Sequence, residues 1–470
     1  MLTATQLTEL LDTVPEGTDE AVTATAGFDT ALCHGLARVG EEQAAALSAL
    51  AAAVGATPLG PAAAEAAAAV TAGTLEDGHL AALAAARTAL LGAVHDAHLG
   101  TLDAVTGRRR DPWPEAPAAP AAPGDGPVVH ALAGCRAWLR ELAITGWRGV
   151  GEDLLPTADG LVESLMDAPG LRGLAVLIDG LTAEIRACSP VSVAERLPVR
   201  RWADLWARAL VASQPAALPA PAPAAESVSG RLLLLGADIH EHPTAFRVQV
   251  HAVLEPAGGA PARLVRASVA AAKVDMVTGP AVWELLGNHP VLLGALGGRL
   301  AVDITDMPLL PGGDLLWHDD RAAAGEPADP LATARVLLPG AVAPPVRPLD
   351  RHPVRLAEPV LVEGYKSDGK ALRFGDTLLE FDLERLPACG PLTPQLLKAS
   401  TACIGLLRRD AGRWLLQPLG VGATVKRQPV DAHSGDWATG VTDPKAAKAA
   451  ARHAEVLPTL RERAGRLLRK

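Results

Sequence analysis

The sequence predicts an α+β protein: a helical N-terminal half built from two modules, followed by a mainly antiparallel, β-rich C-terminal half that closes with a helix. Three observations carry this. Apolar residues recur at helical spacing through the first half, and an Ala/Pro tract at 215–226 breaks the chain. After that tract, short alternating runs separated by Gly- and Asp-bearing turns take over. At 470 residues the chain exceeds one ordinary domain, and two or three units are expected. The boundaries fall at 1–110 for a first helical module, 111–127 for a Pro/Ala linker and 128–213 for a second helical module with a Trp face. A second Pro/Ala linker (214–228), a β-rich domain (229–442) and a basic C-terminal helix (443–470) complete the division.

In the first module Leu2, Leu7, Leu10, Leu11 and Val14 sit on one helical face that ends at Pro15-Glu-Gly17. Glu41–Val54 is an Ala/Leu helix stopped by Gly55 and Pro58, and Pro61 opens the next, where its missing N–H costs nothing. A further helix runs through Leu80, Leu83, Leu90, Leu91, Val94 and Leu102. The second module reads as helices at Val128–Thr145, Gly151–Met166, Leu171–Cys188 and Val191–Ser213. In the last of these Trp202 and Trp206 are four apart and share a face, while Asp204 and Arg208 pair at the same spacing on the outer side. Such a Trp stripe is a core feature or a packing interface, and Trp202 and Trp206 are the candidate partner-binding residues.

The β-rich half begins with a hairpin, Arg231–Ala237 and Ala245–Leu254. Phe246, Val248 and Val250 alternate there with Arg247, Gln249 and His251. Further strands are expected at Arg263–Ala270, Arg299–Ile304, Ala334–Leu338, Val354–Glu363, Ala371–Phe374, Thr377–Asp382, Ile404–Arg409, Arg413–Pro418 and Val421–Arg427. Helices interrupt near Gly279–Leu296 and Thr393–Ala399. Tight turns at Ser367-Asp-Gly369 and Asp410-Ala-Gly412 favour antiparallel neighbours over a βαβ layout.

Composition excludes some functions. Alanine dominates, with four Phe and one Tyr against nine Trp, a bias that GC-rich coding DNA produces without functional selection. Small alanine contacts bury little area at about 25 cal/mol per Å², so Leu, Val and Trp must supply the core energy. The net charge of −10 argues against general nucleic-acid binding. Residues 443–470 are the exception, with eight Lys/Arg against three acids, a pattern that suits a solvated terminal helix complementing its own dipole. Cys33, Cys135, Cys188, Cys389 and Cys403 are scattered and form no CxxC pair, which fits a reducing cytoplasm. The N-terminal stretch lacks a positive n-region, and no apolar run reaches the roughly 18–20 residues that span a bilayer.

Each chemical motif has a plainer reading. Gly364-Tyr-Lys-Ser-Asp-Gly369-Lys370-Ala371 has P-loop spacing but lacks the terminal hydroxyl, and strand-like residues flank it on both sides, so it reads as a hairpin turn. His240-Glu-His242 with His251 could face one metal ion from a strand, yet Pro243 follows at once and places the pair at a hairpin tip. His318-Asp-Asp320 lies beside a Gly/Pro-rich loop. Ser434, in His433-Ser-Gly-Asp-Trp437, reads as part of a loop closed by the Trp. Gly420-Val-Gly422 and Gly149-Val-Gly151 lack the third glycine of a dinucleotide site. The sequence therefore assigns no catalytic, cofactor-binding or metal-binding residue.

The run Arg200-Arg-Trp-Ala-Asp-Leu-Trp-Ala-Arg208, placed after a helical domain and before a β-rich half, resembles a set of uncharacterised actinobacterial proteins encoded beside MoxR-type AAA ATPases, von Willebrand A proteins and SWIM zinc-finger proteins. The resemblance implies an accessory or adaptor role in an ATPase-driven assembly. The modular layout, flexible linkers and lack of chemistry add the expectation of a non-catalytic scaffold with protein partners, and the short apolar runs that of no membrane. The chain itself carries no ATPase motif, no DxSxS and no SWIM-type Cys/His set. The alternative is a hydrolase or transferase in the β-rich half that uses His240, His242 or acids brought together only by the fold.

Overall fold

The computed structural model describes the whole chain except residues 1, 112–125, 152, 169–170, 215–224, 242–244, 275–276, 345–355, 411, 442–446 and 448–470. Most of both Pro/Ala linkers, His242 and the expected basic terminal helix lie outside the described residues.

The first helix, α1 (Ala4–Asp12), opens on a capping box in which Thr3 and Gln6 satisfy each other's backbone N–H groups. Then come α2 (Thr18–His34), α3 (Glu41–Ala53), α4 (Gly60–Thr71) and the long α5 (Asp77–Thr106). Beyond the first linker lie α6 (Pro127–Thr145), α7 (Leu155–Met166), α8 (Arg172–Ala187) and α9 (Val199–Ala212). The final helix is shorter than expected: Val191–Val193 forms a separate 3-10 turn, and Pro198 precedes α9. Helices α2 to α9 bury their apolar faces in one continuous core, so the two helical segments pack together across the linker.

Trp202 and Trp206 sit inside that core with no exposed surface. Trp202 meets Trp147 edge to face at 6.1 Å, and the Trp206 indole N–H donates to the Leu139 carbonyl at 2.8 Å. Their contacts join helices of this chain to one another. Asp204 departs from the expected outer-side pairing with Arg208. It is fully buried and lies 3.6 Å from Nη1 of Arg87, which also makes a two-pronged bond to Asp29 at 2.6 and 2.8 Å. The buried side of α9 therefore carries a carboxylate, because α5 brings the Arg87 guanidinium to meet it.

The C-terminal half starts at β1 (Glu226–Glu241), followed by β2 (Ala245–Pro256) and β3 (Arg263–Ala272). Where one helix was expected, a 3-10 segment (Gly279–Leu286) and α10 (Pro290–Gly298) are separated at Pro290, which has no N–H to continue a ladder. Strands β4 (Leu300–Leu309), β5 (Asp314–Leu315) and β6 (Ala322–Pro327) complete the first sheet. β1 pairs with both β2 and β4, and β3 runs parallel to β5, which in turn pairs with β4. The ring β1–β2–β3–β5–β4–β1, with a helix between its third and fourth strands, has the connectivity of a five-stranded Greek-key barrel of the OB type.

Residues 334–338, expected as a strand, belong instead to α11 (Pro330–Val336) and its exit. Asp329 caps the helix by accepting from the Leu331 N–H, and Pro330 suits the first helical position. A second sheet follows: β7 (Leu356–Glu363), β8 (Lys366–Ser367), β9 (Ala371–Phe374), β10 (Thr377–Phe381), helix α12 (Pro394–Ala399), β11 (Ser400–Asp410), β12 (Arg413–Val425) and β13 (Gln428–His433). The two expected strands 413–418 and 421–427 are the single strand β12. Pro418 fits within it because the facing strand shifts register between Ile404 and Gly405.

The second sheet repeats the first. β7 and β8 form one path bent at Gly364 (φ 78°), with β7 paired to β11 and β8 to β9. β10 runs parallel to β12, and α12 again lies between the third and fourth strands. The two halves of the β-rich region are thus barrels of one connectivity. Each has its own core, and a third apolar cluster, containing Leu235, Val253, Leu264, α11, Leu361 and Ile404, fills the seam between them. The N-terminal segment departs from the helical array: Leu2, Leu7, Leu10 and Leu102 complete the core of the second barrel, and the Leu2 N–H donates to Leu361 O at 2.7 Å.

Candidate functional site

The seam between the barrels gathers the polar residues of the β-rich half. Alternate residues of a strand share a face, and Asp238 and His240 of β1 both turn toward the second barrel. Nε2 of His240 lies 2.9 Å from Oδ2 of Asp238. Because an ionised carboxylate only accepts, this nitrogen donates. The other oxygen, Oδ1, accepts from the Gln417 amide at 2.6 Å, and Gln417 accepts from Arg408 at 2.9 Å. Arg408 continues to Asp382 at 3.7 Å, which Arg385 also approaches at 3.4 Å. Burial opposes the Asp238 charge, but the His240 and Gln417 hydrogen bonds outweigh it and hold the carboxyl far below the usual range. The network therefore contains an ionised, buried carboxylate behind an imidazole that is 27% exposed.

Of the histidine set flagged in the sequence, His240 alone enters this network, through Asp238 and not through another histidine. His251 sits on the same outer face, opposite Gly236, but makes no bond to His240. It is buried, its Nε2 has no hydrogen-bond partner among the described residues, and burial followed by the Arg266 charge lowers its pKa to about 4. His242 lies outside the described residues. Among the described residues, no group of three or more His, Cys, Asp or Glu side chains could hold a metal ion.

The other motifs resolve into structural roles. The Ser434 hydroxyl donates to the Ala237 carbonyl at 2.7 Å and accepts from the Ala237 N–H at 3.1 Å, so it is engaged in both directions by β1. Its neighbour His433 is buried against Gly420, where a Cβ would come within 2.1 Å of the imidazole Nδ1. Burial and the Arg299 charge lower the His433 pKa to about 4. Trp437 inserts into the core of the first barrel. Asp319 accepts from the Val291 N–H at 3.0 Å and from the Trp317 indole at 2.9 Å, tying down the start of α10. The Gly364–Lys370 segment is the β8–β9 turn, held by Asp368 accepting from the Lys370 and Ala371 N–H groups.

The four buried thiols offer no activated nucleophile. Cys135 and Cys389 are pushed up to about 12 by burial, and burial raises Cys33 and Cys403 as well. The exposed part of the β2–β3 face carries Arg247, Gln249 and Ser268, which bond to one another, and no aromatic ring on which a base could stack. Two small internal spaces stand out: one of about 10 Å³ beside His433 and Arg299, and one of about 30 Å³ beside Arg108. The first has room for one water at most and the second for one or two.

Sequence reasoning missed Asp238, Gln417 and Arg408. The Asp238-Ile-His240 alternation was a readable signal for the first, whereas Gln417 and Arg408 reach the site only through barrel-to-barrel packing. No helix among the described residues is long and apolar enough to cross a membrane. The chain matches no protein-family model, no curated protein and no solved structure.

Proposed function

We propose that the chain is a non-catalytic adaptor or scaffold that presents a helical array and two barrels as one packed unit to protein partners. The observation that supports this reading most is where the polar groups go. Asp29–Arg87–Asp204 joins three helices, Asp238–Gln417–Arg408 joins the two barrels, and Arg110 bridges Asp103 of α5 to Glu358 of β7. Charged side chains that would equip a reactive cleft are instead spent on holding distant segments together, which suits a protein whose product is a fixed arrangement of surfaces. The resemblance around Arg200–Arg208 names the partner to test first, a MoxR-type AAA ATPase with its von Willebrand A companion. Five free cysteines suit the cytoplasm as the place of action. Affinity purification of the tagged chain from its native host should recover that ATPase or its companion in stoichiometric amount. Elution as a monomer with no stoichiometric partner would sink the reading.

A second reading rests on the Asp238–His240 pair. A buried carboxylate that orients a partly exposed imidazole is the arrangement a general base requires, and a hydrolase or transferase would use it. Under this reading His240→Ala abolishes turnover of a screened ester, amide or glycoside panel and leaves the fold intact. A panel that the wild-type protein does not turn over removes it.

A further inference from the structure

Helix α1 buries its leucines in the second barrel, while the helix that follows it belongs to the other core. Leu2, Leu7 and Leu10 lie with Leu102 in the core of that barrel, whereas Phe28, Ala31 and Leu32 of α2 lie in the helical core. The polar contacts of the first residues point the same way. The Leu2 N–H donates to Leu361 O at 2.7 Å, Gln6 Nε2 donates to Val105 O at 2.8 Å, and the Thr8 and Thr377 hydroxyls lie 2.6 Å apart. The receiving groove is therefore made by β7, β10 and the last turns of α5. Helix α1 also carries its own ends. The Thr3–Gln6 box closes one, and at the other the Thr13 N–H and hydroxyl donate to Glu9 O.

The connection from α1 to α2 runs from Thr13 to Gly17, and its bonds are local: the Thr18 N–H and hydroxyl reach back to Pro15 O. Pro15 biases Val14 toward an extended backbone. Val14 is 51% exposed, an aliphatic side chain left in water. The return of the chain toward the barrel depends on Gly17. This residue caps α2 with a left-handed φ of 77°, where an N-cap residue is ordinarily extended. An extended Gly17 would carry α1 away from its own barrel and leave α2 undisturbed.

We propose that α1 exchanges between two copies of this chain, so that Leu2, Leu7 and Leu10 of each complete the second barrel of the other. The two grooves are identical and every contact of α1 is regained, so association entropy and the hinge decide the balance. The two opened connections run side by side and cover Val14 of each chain. The dimer presents every outer surface of the scaffold twice, which raises its avidity for a multivalent partner.

Gel filtration with light scattering tests this on the full chain, across a concentration series and after a cycle through mild urea that frees α1. The expected result is a dimer that grows with concentration and reverts slowly on dilution. Gly17→Ala has room for its Cβ, since no atom lies within 4 Å of that position, and it penalises only the closed turn. It should raise the dimerisation constant about 30-fold, about fivefold for each of the two hinges. Thr8→Cys with Thr377→Cys separates exchange from any other association. The two hydroxyls touch in the folded protein, so oxidising the dimer pool should link two chains and give a covalent dimer on a non-reducing gel. A wild type that stays monomeric at every concentration overturns the proposal. So does a Gly17→Ala dimerisation constant equal to that of the wild type, or a dimer pool whose engineered disulfide forms within single chains.

Discussion

The two barrels share a strand order and differ in how each is completed. In the first, β1 runs unbroken for 16 residues and pairs along its length with β2 and β4. In the second the equivalent path breaks at Gly364, and β8 contributes only two paired residues. Residues from the opposite end of the chain make up the shortfall. Leu2 bonds to β7, and Leu7 and Leu10 of α1 enter the core. The first barrel borrows in the other direction, taking Trp437 and Ala438 from the loop that follows β13. A single connectivity can therefore be finished by unrelated pieces of chain, provided that each supplies apolar volume to the open side.

The largest test removes what the second barrel borrows. Each fully buried Leu→Ala change costs about 2–5 kcal/mol, so Leu7→Ala with Leu10→Ala should cost about 4–10 kcal/mol and unfold this barrel first. Urea titration followed at Trp414, which packs on His98 of α5, should report the loss. If the double variant unfolds at the wild-type midpoint, α1 is not part of that core. The counterpart in the first barrel is Trp437→Ala, expected to cost about 3–5 kcal/mol. Here the loss should appear first at Trp283, whose indole donates to Cys389 O at 2.8 Å.

Acid should act on the seam and on the borrowed loop together. His251 and His433 titrate near 4 in the folded protein, against about 6.5 when unfolded. Between these values the unfolded chain binds more protons, so stability is complete above pH ~6.5 and falls as pH drops toward 4, by at most about 3 kcal/mol per histidine. Denaturation midpoints measured from pH 7 to 4 check the slope, and His433→Gln should flatten its share. A flat profile in the wild type would mean that both imidazoles reach solvent.

Much of this fold was legible in the sequence where the information is local. The α3 and β9 boundaries agree with their apolar patterns to within a residue, and the strands on either side of residue 411 pair antiparallel as expected, Asp410 opposite Arg413. Barrel closure was not legible. It depends on β1 meeting β4 and on parallel pairs of only two residues each, β3 with β5 and β10 with β12, and such contacts leave no periodic trace. The α2 helix was hidden because its buried face includes Thr18, Thr25 and Asp29, which blur the stripe. The candidate site was half visible. His240 drew attention through His242, whereas its partner proved to be Asp238 on the other side, and a strand's alternation permits either.

The Ser434 bridge ranks next. Replacing it with Ala leaves the Ala237 N–H and carbonyl of β1 without their side-chain partner, at a cost of about 1–3 kcal/mol. Thr cannot restore it fully in so tight a site, since Gly390 packs on the Ser434 backbone. The measurement is the urea midpoint, and an unchanged value would show that the Ser434 hydroxyl has no part in holding the two barrels together.

The smallest effect compares equivalent positions. In both barrels the short parallel pair carries an arginine–carboxylate contact: Arg266 to Asp314 at 2.8 Å between β3 and β5, and Arg413 to Glu380 at 3.4 Å between β12 and β10. The Arg413 side chain is 67% exposed, so screening by water leaves Arg413→Ala within about 0.5 kcal/mol of wild type. Arg266 is 35% exposed and also donates to Gly312 O at 3.1 Å, which anchors the turn that delivers β5. Its removal should cost more, up to about 1 kcal/mol. Equal costs at the two sites, read from paired denaturation curves, would mean that the parallel strands are placed by their backbone pairing and that neither arginine has a part in it.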